Sequence, residues 1–489
     1  MKRMSAARAG RAGGMGYLHA MTAPVRHSDQ AAADVALLAN ADQPALLSSL
    51  AQYQRVSRNQ LPAPVVDAAK RAIVDWFAVT LAGMADAQTR SLAVVARRWQ
   101  SEGRALTLDG HRMAPAPAAL INGAAAHTLD FDDFHIASLL HPGAPTFAAV
   151  LALGYGHGLS GTRMLAAFAA GFEVGARLGL EGVGERLAAR GWHPTSILGH
   201  LSAVAGAAAI LELNPKQFIS AIGLAAAQTG GLMSLAGSFA KPVAVGKAAM
   251  NGVLAAEMAA VGITAPDGLL DDPVRGLFGT LLQEPRAAVA RFDTNWLVLE
   301  NTYKPYPSCQ LTHAAHEAAL EASRSRRGRM PDAVVLTVHP LAPVIACHQS
   351  PRTVLEARFS LPYNVAIGLQ GRRAVLAEFS DQGLSDPERQ ALAGRVRVIT
   401  DPGVARWSAR LGVEYPDGTT SSADISAALG SLDRPMEWAD LEEKFMDTVE
   451  PLMPVEAARL LDALKRFDSV GAPDEVAALI SGAVVRNEL

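Results

Sequence analysis

ILGHLSAVAGAAAIL, residues 197–211, is the most membrane-like stretch of this sequence and the best guide to its fold class. It is shorter than the roughly 20 predominantly apolar residues that a spanning helix needs, and His200 interrupts it. Its Ala and Gly residues leave room for another backbone to approach closely. We therefore predict a buried core helix here. Similar faces at Ala203–Ala209 and Ala248–Ala260 predict helices that pack against one another.

The sequence around this helix is helical in pattern from about Pro44 to Ala290, with apolar residues at three- and four-residue spacing. Asn214-Pro215 marks one helix start, because Asn caps free amides and Pro is tolerated at the first helical position. GHGLSG at residues 156–161 matches a dinucleotide-binding fingerprint, but that fingerprint follows a strand. Since both flanks are helical here, we interpret it as a turn between two helices.

The pattern changes after about Tyr303, where β-branched residues and alternation predict strands. The predicted strands are Ala333–His339, Arg395–Thr400 and Ala409–Tyr415. Pro416-Asp417-Gly418 follows with the composition of a hairpin turn. Helical patterns return at Trp438–Thr448 and Val455–Phe467.

The chain has 489 residues, more than one hydrophobic core usually serves, so at least two domains are expected. We predict a mainly α protein, with an all-helical domain of residues 29–300 plus 439–489 and a smaller α+β domain of residues 301–438. Residues 1–28 are basic and lack the apolar stretch of a secretory signal. We interpret them as a disordered tail or an overcalled start.

Charge and cysteine content narrow the class of partner and the compartment. The formal net charge of -3 gives no electrostatic case for nucleic acid. The two cysteines, Cys309 and Cys347, are too few for a disulfide framework and fit a reducing compartment. We therefore expect a cytoplasmic protein with no nucleic-acid or membrane partner.

The densest polar cluster is HTLDFDDFH at residues 127–135, followed by HPGAP at residues 141–145. It holds three carboxylates and three imidazoles between His127 and His141. A solvated loop is one interpretation and a metal site is another. The cluster lacks a His pair at i and i+4, which would place two ligands on one helical face, so we predict no metal.

Several basic residues directly precede proline in apolar or Gly-rich surroundings. These residues are His141, His193, Lys241 and Lys304. Proline disfavours helical dihedrals in the residue before it but suits a first helical turn. His141 and His193 are therefore predicted at helix N-termini, where free amides attract anions. Lys241 would be costly to bury unless it met an anion such as a substrate carboxylate.

The segment Lys304-Pro-Tyr-Pro-Ser-Cys309 lies between the predicted helices and the predicted strands. Ligand pockets often form at such junctions between domains. Cys309 could be a nucleophile, but a small pocket-lining residue is the interpretation we favour. A residue pair X-Pro also commonly marks the end of a secondary-structure element without any functional role. We interpret His339-Pro340 and Arg434-Pro435 in this way.

The chain resembles the MmgE/PrpD family from about Leu46 to Asp468. The motifs that carry the resemblance are Asp75-Trp-Phe, HTLDFDDFH running to HPGAP, GFEVGARLG, GWHPTSILGHLSAVAGAAA, AQTGGLM, the Lys241 segment up to Asn251-Gly252, KPYPSCQLTHAA and Phe359-Ser-Leu-Pro-Tyr363. The resemblance implies a helical domain with an inserted α+β lid, usually in a homodimer, and no cofactor. It also implies an active site between the domains, at Asp130, His141, His193, Lys241, Lys304 and Tyr363.

The resemblance implies a lyase acting on a small polycarboxylate, with a 2-methylcitrate-dehydratase-like reaction as the leading expectation. Epimerisation or decarboxylation of a related acid is the alternative. We expect His193 or His141 to move a proton and Asp130 to orient a histidine. Lys241 and Lys304 would clamp carboxylates, with Cys309 lining the substrate pocket, and Tyr363 would donate a proton or hydrogen bond.

Two departures from the family pattern bear on this expectation. Phe134 stands where many members have Thr, and Ala244 stands where many have His. A non-catalytic helical scaffold is therefore an alternative of another class. A helical prenyl-diphosphate enzyme fits less well, because Asp130, Asp132 and Asp133 lack the i, i+1, i+4 spacing of its Asp-rich motif.

Overall fold

The structure is a computed structural model that describes residues 50–53, 61–270, 272–283 and 295–485. The tail predicted at residues 1–28 lies outside the described residues. Among the helices of the described ranges, none is both long and apolar enough to cross a membrane.

The first half of the chain forms a helical body around one large hydrophobic core. Its helices are α1 (Ala63–Met84), α2 (Ala87–Arg97), α3 (Pro115–Thr128), α4 (Gly143–His157), α5 (Gly161–Gly179), α6 (Val183–Ala189), α7 (Pro194–Ile210), α8 (Pro215–Ala226), α9 (Ala240–Ala260) and α10 (Leu277–Leu282). Short 3₁₀ helices at Ile136–Ser138, Met233–Leu235 and Leu297–Glu300 connect some of them.

Small residues let the central helices of this body approach closely. A Cβ added to Gly252 in α9 would lie 2.6 Å from the Cβ of Ala203 in α7. One added to Gly246 would lie 2.4 Å from the carbonyl oxygen of Leu120 in α3. Both distances are too short for real Cβ atoms, so the backbones meet only because these positions are glycines. Every residue of α7 is buried, which confirms the predicted core helix.

The predicted helix boundaries are confirmed at two places. Asn214 accepts hydrogen bonds from the backbone amides of Lys216 and Gln217, and α8 begins at the next residue, a proline. Gly158 ends α4 in the left-handed conformation with φ of 65°, and the Ser160 side chain caps α5. Residues 156–161 are therefore a turn between two helices.

The helical body also contains a short hairpin of β1 (Ala105–Leu106) and β2 (Arg112–Met113), so the prediction of an all-helical domain is wrong at this point. The two-residue strands are too short to show alternation in the sequence. Asn122 of α3 stabilises the hairpin, because its side chain accepts from the Leu108 amide and donates to the Leu106 carbonyl oxygen.

The next part of the chain forms an α+β lobe with a second core. Its elements are α11 (His313–Arg326), β3 (Ala333–Val338), α12 (Ala342–Ile345), α13 (Val354–Arg358), α14 (Leu361–Leu369), α15 (Asp381–Leu384), α16 (Pro387–Ala393), β4 (Val396–Thr400), β5 (Ala409–Glu414) and β6 (Thr420–Ile425). Two further 3₁₀ helices lie at Gln310–Thr312 and Leu376–Glu378.

The sheet of this lobe has the order β4-β3-β5-β6. β3 is parallel to β4 and antiparallel to β5, and β5 is antiparallel to β6. The three predicted strands are confirmed as β3, β4 and β5, and Gly418 has the positive φ of 75° expected in the turn before β6. β6 was not predicted, because its sequence, TSSADI, is polar and mostly exposed at the sheet edge.

The chain then returns to the helical body with α17 (Trp438–Val449), α18 (Ala457–Lys465) and α19 (Ala472–Val485). Buried apolar residues of these helices belong to the same core as α1 to α9. The Tyr155 hydroxyl of α4 donates to the carbonyl oxygen of Pro473 at 2.6 Å. The mainly α fold class with a small sheet is confirmed, and the exact domain boundaries stay a prediction.

Replacing Gly161 with Ala should destabilise the contact between α5 and the C-terminal segment. The added Cβ would lie 1.6 Å from the carbonyl oxygen of Phe467, so the backbone must shift, at a cost of about 1–3 kcal/mol. Gly268→Ala is the matched control, because nothing lies within 4 Å of its added Cβ. Thermal unfolding should show a lower melting temperature for Gly161→Ala alone. Equal melting temperatures would contradict this packing.

Candidate active site

A cavity of about 470 Å³ lies where the helical body meets the α+β lobe. The starts of α7 and α9 and the loop after α3 supply one side of its lining, and α12 and the segment around Lys304–Leu311 supply the other. Six of the seven predicted site residues line it. These are Asp130, His141, His193, Lys241, Lys304 and Cys309.

Asp130 is the centre of an ionic cluster in this cavity. Its Oδ1 lies 2.7 Å from Nζ of Lys241, and its Oδ2 lies 3.1 Å from Nζ of Lys304. Lys304 also donates to the backbone carbonyl oxygen of Asp130 at 2.8 Å. Asp130 and Lys304 are buried, and the Lys241 side chain is 13% exposed. One carboxylate therefore serves as the counter-charge of two ammonium groups.

The backbone conformation of Asp130 explains why its carboxylate and carbonyl oxygen can face one lysine. Asp130 follows the end of α3 with φ of 51°, in the left-handed region that Asp tolerates better than most residues. The Lys304 ammonium binds the side chain and the carbonyl oxygen of this residue together. Its contacts therefore hold Asp130 in an otherwise unfavourable conformation.

Asp130 and the two lysines each stabilise the charged form of the other. Burial alone would raise the pKa of Asp130, but Lys241 and Lys304 outweigh burial and hold that pKa far below its usual range. Burial would lower the pKa of Lys241, and Asp130 outweighs it, so the pKa of Lys241 is raised. Asp130 is therefore ionised and Lys241 protonated at neutral pH.

Asp132 hydrogen-bonds one imidazole beside this cluster and lies close to a second. Its Oδ2 lies 2.7 Å from Nδ1 of His127 and 3.3 Å from Nδ1 of His141. An ionised carboxylate only accepts, so Nδ1 of His127 carries the hydrogen. Burial lowers the pKa of His127 to about 4, with the nearby Lys241 acting in the same direction. His127 is therefore a neutral imidazole at pH 7.

His193 stands at the N-terminus of α7, as predicted from the proline that follows it. Its Nδ1 lies 2.7 Å from the Ser196 hydroxyl, and its backbone amide donates to the Gly231 carbonyl oxygen. Burial, and then the positive charge of Lys241, hold the pKa of His193 well below its usual value. The Ser196 hydroxyl can donate or accept, so both neutral tautomers of His193 keep a partner.

A second buried ion pair supports the loop that carries Asp130 and Asp132. Lys444 of α17 lies 2.5 Å from Oδ1 of Asp75 in α1, and it donates to the Phe131 carbonyl oxygen at 2.8 Å. Its ammonium also lies 3.8 Å from the centre of the Phe131 ring. The C-terminal helices thus fix the backbone between Asp130 and Asp132.

Asp133 anchors the same loop on its other side. Its Oδ1 accepts from the Gly143 amide at the start of α4, and its Oδ2 accepts from the Asn301 side chain at 2.8 Å. Burial, with the nearby carboxylates of Asp75 and Asp132, raises the pKa of Asp133 well above its usual value. Each of the three aspartates in the motif thus has a different partner.

Cys309 lines the cavity, in agreement with the interpretation as a pocket residue. Burial raises the pKa of its thiol to about 11, so the nucleophilic thiolate is scarce at neutral pH. Phe134 also lines the cavity, with its ring centre 4.8 Å from that of His141. Ala244 lies one turn after Lys241 in α9 and is not among the described lining residues.

Tyr363 is the predicted site residue that the structure does not bring to the cavity. Its hydroxyl donates to the Glu378 carbonyl oxygen at 2.6 Å and accepts from Arg389 at 2.9 Å. Tyr363 lies in α14 and belongs to a small separate core that this helix helps to form. These contacts occupy the hydroxyl, so the expected role as a proton donor has no support in this geometry.

The backbone position of Lys241 differs from the prediction. We expected every basic residue before proline to lie outside helical dihedrals, but Lys241 is the second residue of α9, directly before Pro242. Proline is tolerated within a first helical turn, because its missing amide hydrogen has no partner there anyway. The helix start therefore includes the lysine.

Several residues of the site were not predicted. Asp132 and His127 were part of the quoted cluster, but their spacing did not reveal that they would share a hydrogen bond. Lys444 lies more than 300 residues from Phe131, and no local pattern links them. Arg358 of the α+β lobe donates to the Thr128 carbonyl oxygen. No local sequence pattern links these two residues either.

His127, Asp132 and His141 could together offer three ligand atoms to a metal ion, because these atoms lie within 4.8 Å of one another. Nε2 of His127 and Nδ1 of His141 are buried without a hydrogen-bond partner, which would suit ligands. Against this, Nδ1 of His127 and Oδ2 of Asp132 already hydrogen-bond each other, which occupies one of the carboxylate oxygens. The adjacent lysines also place positive charge where a cation would sit.

The fold and the site define a mainly helical protein with a buried ionic pocket beside an α+β lobe. The MmgE/PrpD N-terminal domain matches residues 48–289, and the MmgE/PrpD C-terminal domain matches residues 306–468. The chain belongs to the MmgE/PrpD family, as the sequence motifs indicated.

The chain is also similar to proteins named as cis-aconitate decarboxylases or as cis-aconitate decarboxylase-like. Cis-aconitate decarboxylase of Aspergillus terreus is 26% identical over 77% of this chain and 83% of its own length. Cis-aconitate decarboxylase-like protein oryM of Aspergillus oryzae is 26% identical over 87% and 94%. Cis-aconitate decarboxylase of Homo sapiens is 26% identical over 70% and 76%.

Exhaustive chelation should leave the protein unchanged, because Lys241 and Lys304 already supply positive charge beside the cluster and Asp132 is already hydrogen-bonded to His127. The melting temperature after dialysis against a strong chelator should equal that of the untreated protein. Adding Zn²⁺ or Mg²⁺ should not raise it. A drop on chelation that one particular ion reverses would show that the His127, Asp132 and His141 cluster holds a metal.

Proposed function

We propose that this protein is a lyase that decarboxylates a small polycarboxylic acid of the cis-aconitate type. The observation that carries the proposal is the placement of two ammonium groups on one carboxylate, with the neutral imidazole of His193 in the same cavity. The names of the relatives support decarboxylation. The names of these relatives give no support to the dehydration that we expected from the sequence. Dehydration therefore stays a prediction.

The lysines have donors left for a substrate. An ammonium group has three hydrogens, and Lys241 uses one on Asp130 while Lys304 uses two. A substrate carboxylate at the remaining donors would add a negative charge to a cluster that carries one net positive charge. Charge-assisted hydrogen bonds of this kind are about twice as strong as neutral ones.

The same ammonium groups can stabilise the transition state. When a carboxylate adjacent to a conjugated acid leaves as carbon dioxide, the electron pair of the broken carbon–carbon bond moves into the remaining conjugated carboxylate. The charge then develops on oxygens that face Lys241 and Lys304. Fixed charges in a site shielded from water stabilise such oxyanions without reorganising.

A proton must then return to carbon, and His193 is placed to deliver it. Its Nε2 accepts no hydrogen bond from any group among the residues that the structure describes, whereas its Nδ1 faces Ser196. The neutral imidazole of His193 would take up one proton from solvent at Nε2, pass it to the carbon and return to its neutral form, so each turnover consumes one solvent proton. His141, which also lines the cavity, is the alternative for this step.

Two further expectations belong to the proposal. The partner of the chain would be a small polycarboxylate, and a second copy would form a homodimer through the helical body, in a cytoplasmic setting. The family resemblance and the many Ala and Gly faces support the dimer.

Lys241→Met should lower kcat/KM for cis-aconitate by the equivalent of about 2–5 kcal/mol, because it removes a charge partner from a buried site. His193→Gln should keep affinity and lower turnover by about a hundredfold to ten-thousandfold, the usual contribution of a positioned acid or base. The assay follows carbon dioxide release in deuterated water, with product analysed for deuterium at carbon.

The matched controls are Lys247→Met, an exposed lysine in the same helix, and His200→Gln, a buried histidine in the same helix as His193. Both should behave like the parent protein. Normal turnover in His193→Gln would move the proton-transfer role to His141. Addition of water to cis-aconitate, which is the reverse of a dehydration, without carbon dioxide release would replace decarboxylation with dehydratase chemistry. Deuterium exchange at carbon without carbon dioxide release would indicate an isomerase-type proton transfer instead.

A further inference from the structure

The cavity has an ionic end and a separate apolar wall. The ionic end consists of Asp130, His141, His193, Lys241 and Lys304, as described above. The apolar wall consists of Met233, Leu311, Leu341, Val344, Ile345 and Trp407. Four of these six residues, Leu341, Val344, Ile345 and Trp407, come from α12 and the loop before β5.

Exposure rises from the ionic end towards the apolar wall. Asp130 and Lys304 are buried, whereas Val344 is 68% exposed. Leu232, next to Met233 of the wall, is 48% exposed. The other wall residues are half-buried, except Leu311, which is buried. A contiguous apolar surface of this kind can mark a ligand-binding groove. The wall is therefore suited to an apolar group that arrives together with a charged one.

The charged side chains of the cavity are concentrated at its ionic end. The ionic end has one net positive charge, from two ammonium groups and one carboxylate. Elsewhere in the described lining, the charged side chains are Glu185 and Arg406, one of each sign. Phe134 adds an aromatic ring beside His141, so part of the lining next to the ionic end is apolar too.

The cavity is also large. Its volume of about 470 Å³ falls within the range of about 300–1,000 Å³ that holds ligands of drug size. A small acid held at the lysines would leave the wall in contact with water.

We propose that the preferred substrate is a polycarboxylic acid that carries an apolar arm of several carbons. Its carboxylate head binds Lys241 and Lys304, and its arm lies along the wall formed by Met233, Leu341, Val344, Ile345 and Trp407. This inference rests on the proposed lyase function and extends it to the substrate class. The α+β lobe then selects the arm, while the helical body carries the chemistry.

The test compares cis-aconitate with derivatives that carry a methyl, propyl or pentyl group on its saturated carbon. With the full chain, kcat/KM should rise roughly fourfold per added carbon, the factor that corresponds to about 0.8 kcal/mol for a buried methylene. Cis-aconitate turned over as well as or better than its alkyl derivatives would overturn the inference and leave the lyase function standing.

Thermal shift with the same acids measures binding independently of turnover. If no acid is turned over, the lyase proposal fails, and the inference is then decided by whether the rise in melting temperature grows with arm length. A rise that stays constant along the series would overturn the inference in that case too.

In Val344→Asn, the rise in kcat/KM should fall to about twofold per added carbon or less, because a polar side chain would replace part of the apolar wall. Val455→Asn is the matched control, since Val455 is 65% exposed and does not line the cavity. If Val344→Asn instead changes the mass in light scattering and not the arm preference, the wall is a contact between copies and the inference is wrong.

Discussion

The bridge from Lys241 through Asp130 to Lys304 is the interaction on which the rest of the site depends. Burying an ammonium group without a counter-charge costs several kcal/mol, and here two such groups share one buried carboxylate. Removing the carboxylate would leave two like charges facing each other. The bridge also joins the helical body to the start of the α+β lobe, because Lys241 lies in α9 and Lys304 precedes the lobe. The cavity and its chemistry therefore exist only when both parts are packed.

The bridge in turn depends on a loop whose shape is not stable by itself. Asp130 has a left-handed conformation, and the loop packs its three aspartates against different partners. Lys444 and Asp75 hold it from behind, and Asn301 and the Gly143 amide hold Asp133. These contacts come from α1, α4, α17 and the segment before the lobe. The return of the C-terminal helices to the helical body thus has a direct consequence for the geometry of the site.

Much of this arrangement could be predicted from sequence, because local signals determine it. Apolar spacing predicted the helices, alternation predicted β3 to β5, and proline placed His193 at the start of α7. The remaining features depend on tertiary contacts that no local pattern encodes. The hairpin at residues 105–113 needs Asn122, the position of Lys444 needs the return of α17, and the Tyr363 hydroxyl is occupied by Glu378 and Arg389. The apolar wall is assembled from α12 and a loop that are distant in sequence.

The central claim is that the cationic cluster keeps a neutral imidazole next to two carboxylate-binding lysines. The most direct measurement is the pKa of His193 from the chemical shifts of its imidazole nitrogens in ¹⁵N-labelled protein. Burial and the charge of Lys241 should hold this pKa well below the ordinary value of 6.5, and Lys241→Met should raise it. A pKa of His193 at or above 6.5 in the unmodified protein, unchanged by Lys241→Met, would contradict the account.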